Sequence, residues 1–149
     1  MITARCLAVG LRLGLVEYAE IQSWVDKQIL SCDLPSGELL LLAYAKQEDM
    51  HEIYNLLKAL SDETNEYAEI REHLSEIKKQ RLDSIEFCSR LAKCLYHVWV
   101  ENDYTAPDDL AAIGFLDDEY TMAINGTFGT VEEWHANFKK FITALANGS

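Results

Sequence analysis

Helical periodicity is the feature that most constrains how this chain can fold. Apolar residues recur at steps of three and four along nearly the whole length, and no segment alternates apolar and polar residues for long enough to form a convincing strand. The clearest case is a helix that begins at Asp83 and places five side chains on one face: Ile85, Cys88, Leu91, Leu95 and Trp99. We therefore predict an all-α fold, a single-domain bundle of about seven to eight helices over residues 1–146, with a disordered tail at 147–149.

The helix boundaries follow from apolar spacing and from capping signals. The predicted helices cover approximately residues 2–13, 16–31, 36–46, 48–60, 65–79, 83–99, 105–124 and 130–145. Capping boxes mark the starts of the last three, at Asp83, Thr105 and Thr130. The third helix, SGELLLLAYAK, is so apolar that we expect it to lie at the centre of the core.

The composition favours an ordinary folded domain. With 149 residues, of which 49% are apolar and 26% charged, the chain is long enough to bury a core and too apolar for disorder. Its four cysteines fit no zinc-ligand spacing, so we interpret them as reduced packing thiols. Arg12 interrupts the apolar N-terminal segment, no signal cleavage site follows, and no run approaches the ~20 residues of a membrane span. We therefore expect a cytoplasmic protein.

Negative charge is concentrated in one part of the chain. Between Lys93 and Lys139 there are nine acids and no basic residue, so this segment carries −9 of the formal net charge of −12. The nine are Glu101, Asp103, Asp108, Asp109, Asp117, Asp118, Glu119, Glu132 and Glu133. Such a segment disfavours nucleic acid and anionic membranes as partners and favours a basic protein.

Helix dipoles account for some of these acids. Four are predicted in first turns: Asp108, Asp109, Glu132 and Glu133. There the positive end of the dipole stabilises each carboxylate by about 0.3–1 kcal/mol. Glu101 and Asp103 are predicted at a helix end and residues 117–119 in mid-helix, where like charges repel one another. These five either form a solvated face that confers solubility or form one negative patch that meets a basic partner.

Aromatic residues lie among the acids, including Phe115. Tyr104 and Phe128 are predicted in loops and are the better candidates for exposed interface anchors, whereas Tyr120 has the spacing of a core residue. The predicted partner-binding residues are Glu101, Asp103, Tyr104, Asp108, Asp109, Asp117, Asp118, Glu119 and Phe128.

Catalytic and metal-binding motifs have little support. Two Glu-x-x-His sequences, ending at His51 and His135, are of the kind that a di-metal centre in a helical bundle uses. Both are predicted in first turns near a bundle end, whereas such a centre needs ligands that converge in mid-core. No nucleophile–base pair and no phosphate-binding glycine loop can be assigned from spacing. We therefore expect no enzyme, no cofactor and no metal, and keep a di-metal enzyme as the weakest alternative.

The C-terminal pattern LDDEYTMAINGTFGTVEEW, followed by a last helix containing FKKFI, resembles the ends of helical immunity proteins encoded near contact-dependent growth inhibition toxins. The resemblance implies a cytoplasmic protein that binds a cognate toxin, an RNase or other nuclease with a basic active site, and occludes it. It carries over no functional residue, because each immunity protein recognises its toxin through its own surface. The alternative is a helical adaptor that binds another bacterial protein through an apolar groove.

Overall fold

A computed structural model describes residues 2–62 and 65–148. Within these residues every regular element is a helix, and there are nine α-helices and one 3-10 helix. The α-helices are α1 (Ala4–Arg12), α2 (Tyr18–Leu30), α3 (Gly37–Tyr44), α4 (Met50–Ala59), α5 (Glu66–Ser75), α6 (Lys79–Leu82), α7 (Ile85–Glu101), α8 (Leu116–Ile124) and α9 (Val131–Asn147). The 3-10 helix, Asp108–Gly114, lies between α7 and α8.

The all-α prediction is confirmed, but the predicted number of helices is wrong. Ten are present in the described residues because two predicted helices are each divided: residues 65–79 give α5 and the start of α6, and residues 105–124 give the 3-10 helix and α8. The chain forms two compact units, with the boundary between Glu69 and Ile70, inside α5. The interpretation of the chain as a single domain stays a prediction.

The first unit is organised around α1 to α4. Helix α3 packs against α2 and α4, and α1 packs against α4. The core consists of buried aliphatic side chains from all four helices, among them Leu7, Ile21, Val25, Leu42, Ile53 and Leu57. Two arginines of α1 make ion pairs with α5, since Arg5 Nη2 lies 3.0 Å from Glu69 Oε1 and Arg12 Nη1 lies 2.8 Å from Glu66 Oε1. These ion pairs attach the first turn of α5 to α1.

Helix α3 is not the fully buried centre that its composition predicts. Leu39 and Leu42 are buried, but Leu40, Leu41 and Tyr44 are 43%, 56% and 83% exposed. The physical reason is geometric, because α2 and α4 cover one side of an eight-residue helix and the other side faces solvent. A helix that is apolar all round gives no periodicity from which the buried side could be chosen.

Neighbouring leucines of α3 test this assignment of its faces. We expect Leu42→Ala to lower the free energy of unfolding by about 2–5 kcal/mol, because it opens a cavity in the core. Leu41→Ala should change the free energy by no more than about 0.5 kcal/mol, because this side chain is largely exposed. Urea unfolding of both variants measures the difference. Equal losses would contradict the assigned faces.

The second unit is built around α7, which packs against α6, the 3-10 helix, α8 and α9. The predicted inner face of α7 is largely confirmed, since Cys88, Leu91 and Leu95 are buried, while Ile85 and Trp99 are half-buried. Burial raises the pKa of the Cys88 thiol to about 11, so the thiol stays protonated at neutral pH. Cys88 therefore behaves as a packing residue.

Two of the three predicted capping boxes are wrong. Helix α7 is capped by Ser84, whose hydroxyl accepts a hydrogen bond from Phe87 N–H at 3.1 Å, rather than by Asp83. Thr105 caps no helix, because its hydroxyl instead donates to Asn102 O at 2.7 Å.

Of the third box, the Thr130 cap is confirmed, and α9 is longer than predicted. The Thr130 hydroxyl accepts from Glu133 N–H at 3.1 Å and begins α9. This helix continues to Asn147, the first residue of the predicted tail, and Ser149 lies outside the described residues.

Candidate protein-binding surface

Four aromatic side chains form the centre of the candidate surface, which lies in the second unit. Trp99, near the end of α7, is half-buried, and its ring contacts those of Tyr96, Tyr104 and Phe115. The Tyr104 ring lies edge-on to Trp99, with the ring centroids 5.1 Å apart. Tyr104 and Phe115 are 61% and 57% exposed. These four residues, the Trp99 cluster, therefore present two large rings to solvent.

A strained backbone holds Tyr104 in place. Asp103 and Tyr104 both have φ of 59°, in the left-handed region. Aspartate tolerates this conformation, but for a bulky tyrosine it costs on the order of 1–2 kcal/mol. The cost is offset by the hydrogen bond from Tyr104 N–H to Trp99 O, at 3.0 Å, and by the ring contact. Contacts with Trp99, five residues earlier, rather than the backbone preference of tyrosine, thus fix the orientation of this exposed ring.

Gly114 packs directly against the Trp99 ring at the centre of the cluster. A β-carbon at this position would lie 2.7 Å from Cε2 of Trp99, closer than atoms can approach, so only glycine lets the 3-10 helix pack against the indole. The next residue, Phe115, has φ of −123°, outside the helical region, and α8 begins only at Leu116. The predicted helix 105–124 is thus divided at Phe115, whose ring lies against Trp99.

Substitution of Gly114 tests the role of this contact. We expect Gly114→Ala to displace the Trp99 indole and to lower the free energy of unfolding by about 1–3 kcal/mol, as overpacking does. The displacement should change the near-ultraviolet circular dichroism. Gly37→Ala is the matched control, because a β-carbon there meets nothing within 4 Å. It should be neutral or stabilise the fold by up to ~1 kcal/mol, and a Gly114→Ala variant as stable as this control would contradict the assignment.

Five carboxylates flank the Trp99 cluster, and they are named here the acidic rim: Glu101, Asp103, Asp117, Asp118 and Glu119. Glu101 is the last residue of α7, whereas residues 117–119 occupy the first turn of α8. Because Tyr104 and Phe115 both contact Trp99, these two chain segments lie side by side. All five residues are exposed except Asp117, which is half-buried. The sequence-predicted acids of these two segments thus lie on chain segments that meet at the Trp99 ring.

The prediction that residues 117–119 lie in mid-helix is wrong. Because the chain is not helical at Phe115, α8 starts at Leu116, and the three acids occupy its first turn. A carboxylate there gains about 0.3–1 kcal/mol from the helix dipole. Their presence therefore does not require a partner. Glu101 is placed differently, since a carboxylate at the C-terminal end of a helix is destabilised by the same dipole.

Asp109 is not available as a free carboxylate of the surface. Its two oxygens accept hydrogen bonds from Arg71 Nε at 2.6 Å and Arg71 Nη2 at 2.9 Å. The bidentate pair lowers the pKa of Asp109 and raises that of Arg71. Asp108 is exposed at the start of the 3-10 helix and is not part of the acidic rim. The predicted binding set therefore loses Asp109, whose charge is neutralised by an arginine 38 residues earlier.

This ion pair predicts a pH dependence of stability. The folded-state pKa of Asp109 lies below the ordinary value, so the pair stabilises the fold above the unfolded pKa, near 4, and this contribution is lost as the pH falls through the folded pKa. Asp109→Asn should therefore cost stability at pH 7 and less towards pH 3. The side chains are 36% and 47% exposed, so the cost should stay below about 1 kcal/mol and decrease with salt. Asp108→Asn serves as the control in urea unfolding, and an equal, pH-independent loss in both variants would contradict the pair's role.

Phe128 does not join the other predicted anchor. It is 71% exposed and follows the C-terminal end of α8, between Gly126 and Gly129, both of which have positive φ. Phe115 precedes the opposite end of the same helix, and nine helical residues span about 14 Å. The structure thus separates Phe128 from the Trp99 cluster. Tyr120, predicted to be a core residue, is half-buried, with its ring centroid 4.7 Å from that of Trp134.

Sequence reasoning missed two residues that organise the surface. Trp99 was assigned to the core by its helical spacing, and Gly114 was given no role. A glycine in the interior of a predicted helix is the signal that could have pointed to a close approach, because it weakens a helix without an evident local reason.

The histidine motifs gain no support as a metal centre. His135 Nε2 lies 2.7 Å from Leu82 O, so this nitrogen donates a hydrogen bond that links α9 to α6. His51 is exposed in the first turn of α4. Any further role of His51 and His135 stays a prediction.

In the described residues, no helix is at once long and apolar enough to cross a membrane. Comparison with protein family models, with curated proteins and with solved structures finds no match to this chain.

Proposed function

We propose that this protein is an immunity protein, which binds a basic cognate toxin through the Trp99 cluster and the acidic rim and blocks the toxin's active site. The observation that carries the proposal is the pair of exposed rings, Tyr104 and Phe115, held on Trp99 and flanked by carboxylates. Protein interfaces commonly have aromatic anchors at the centre and charged residues at the rim.

The charge of the segment defines the class of partner. Asp109 is paired with Arg71, and the segment itself contains no basic residue among its nine acids, so it presents a strongly negative field to an approaching protein. Such a field raises the association rate of a basic partner and repels phosphates. An arginine of the partner has two favourable contacts here, one with a carboxylate and one with the face of an exposed ring.

A nuclease toxin fits this chemistry. Its active site must be basic to hold the phosphates of RNA or DNA, so a surface with clustered carboxylates competes for the same groups. Occlusion needs no catalytic residue in the immunity protein, in keeping with the expectation that it is not an enzyme. The resemblance to helical immunity proteins supports the same class of partner.

Substitutions in the two parts of the surface test the proposal against a catalytically inactive nuclease toxin encoded beside this protein. Phe115→Ala should weaken binding by about 30-fold or more, mainly through faster dissociation, because it removes a central anchor. Phe128→Ala is the matched control: it removes the same side chain at the other end of α8 and should leave the affinity unchanged. Binding kinetics by biolayer interferometry and rescue of toxin-expressing cells measure both.

The carboxylates of the acidic rim should affect the rate of association rather than the rate of dissociation. Glu101→Gln with Asp103→Asn should slow association by about tenfold at low salt and reduce its salt dependence, because the steering charge is lost. The control pair, Glu72→Gln in α5 with Glu76→Gln directly after it, removes the same charge outside the acidic rim. Unchanged protection and binding by the Phe115 and rim variants, with circular dichroism that stays helical, would rule out this surface.

An adaptor remains the second candidate, and one observation favours it. An open groove of about 460 Å³ in the first unit is lined mainly by apolar side chains, including Ile2, Trp24, Leu39 and Leu60. A partner captured there would be insensitive to Phe115→Ala and to neutralisation of the acidic rim. The same binding experiment therefore separates the two functions.

A further inference from the structure

Three side chains of the types that bind transition metals converge on helices α1 and α5. Cys6 belongs to α1, and Glu69 and His73 belong to α5. The Cys6 sulfur, a Glu69 carboxylate oxygen and a His73 ring nitrogen all lie within 4.8 Å of one another. The spacing of the sequence does not indicate this group, because Cys6 is far from the other two residues along the chain.

Helix α5 itself fixes the spacing of two of the three groups. Glu69 and His73 are four residues apart on this helix, so their side chains lie one above the other on the same face. Helical zinc sites use this i, i+4 spacing for a pair of ligands. Only the thiol therefore has to come from another helix.

An ion pair holds Cys6 beside this face of α5. Arg5, the preceding residue, donates to Glu69 Oε1 from Nε at 3.3 Å and from Nη2 at 3.0 Å. Both hydrogen bonds go to the same oxygen, so the other carboxylate oxygen can bind a metal while the ion pair is kept. Glu69 is 8% exposed, and Cys6 and His73 are half-buried. A carboxylate that is buried and hydrogen-bonded in this way is oriented before a metal arrives.

We propose that Cys6, Glu69 and His73 bind a Zn²⁺ ion. Sulfur, imidazole nitrogen and carboxylate oxygen are all zinc ligands, whereas Mg²⁺ and Ca²⁺ prefer oxygen alone. In a tetrahedral zinc site the ligand atoms lie roughly 3.4–3.6 Å apart, given bonds of ~2.0–2.3 Å. Closure from 4.8 Å or less thus needs a shift of about 1.5 Å at most, which rotation of the side chains supplies.

The charges at the site determine how tightly the metal binds. On binding, the Cys6 thiol loses its proton to solvent, and the thiolate and the Glu69 carboxylate together neutralise the two charges of the ion. Arg5 adds one positive charge beside the metal. Three protein ligands leave the fourth position to water. We therefore expect micromolar affinity, weaker than that of a closed site with four protein ligands.

Cobalt tests whether the thiol of Cys6 is a ligand. Co²⁺ takes the ligands of Zn²⁺, and its bond to a thiolate gives a charge-transfer absorption band. The full-length protein, freed of metal with EDTA, should show this band on titration with Co²⁺, saturate at one equivalent and lose the band when Zn²⁺ is added. Cys6→Ser should abolish the band, whereas the control Cys32→Ser, at an exposed cysteine, should keep it. A wild-type protein without the band, or a loss in Cys32→Ser equal to that in Cys6→Ser, would overturn the proposal.

Histidine variants test the imidazole ligand, and they also serve if Cys6→Ser does not fold. His73→Gln should weaken Zn²⁺ binding, measured by isothermal titration calorimetry, by about 10-fold to 100-fold. His51→Gln is the control, because this exposed histidine lies in α4 and outside the group. Zn²⁺ should also raise the Tm of the wild-type protein and of His51→Gln more than that of His73→Gln. Equal Zn²⁺ affinity in the two variants shows that His73 is not a ligand and contradicts the site.

Discussion

Gly114 approaches the Trp99 indole so closely that no β-carbon fits between them. The surface of the second unit depends on this contact. The next residue, Phe115, follows the 3-10 helix and lies on the same indole, and α8 begins only at Leu116. This start puts residues 117–119 at the positive end of a helix dipole. The junction at Gly114 and Phe115 therefore joins the aromatic centre of the candidate surface to the start of the helix that carries three of its five carboxylates.

Local sequence signals predicted the helices and several of their ends. They did not predict the break in residues 105–124 or the buried side of α3. The Thr130 cap and the buried side of α7 follow from residues three or four apart, so a linear pattern is sufficient to find them. The division of residues 105–124 lies instead where Gly114 and Phe115 contact Trp99, a residue outside that segment. For α3 the sequence pattern does not predict which side is buried, because apolar residues occur all round the helix.

Most of the exposed residues of the candidate site could be predicted from the sequence, but the pairing of their charges could not. Exposure of Tyr104, Asp103, Asp118 and Glu119 agrees with the sequence prediction, whereas Asp117 is half-buried. The pairing of Asp109 with Arg71 could not be predicted, because residue spacing does not show which distant side chains form an ion pair. Counting charges within a segment therefore overestimates the field that a partner meets, because cations from other segments of the chain can lie against it.

The charge around the Trp99 cluster determines what this surface can bind. Two copies meeting through the Trp99 cluster would bring two acidic rims together, and the repulsion between ten carboxylates at close range opposes self-association there. The acidic rim therefore disfavours a second copy of this chain and favours a basic protein. The distribution of charge around the cluster, more than its hydrophobicity, separates a surface for a foreign partner from a surface for self-association.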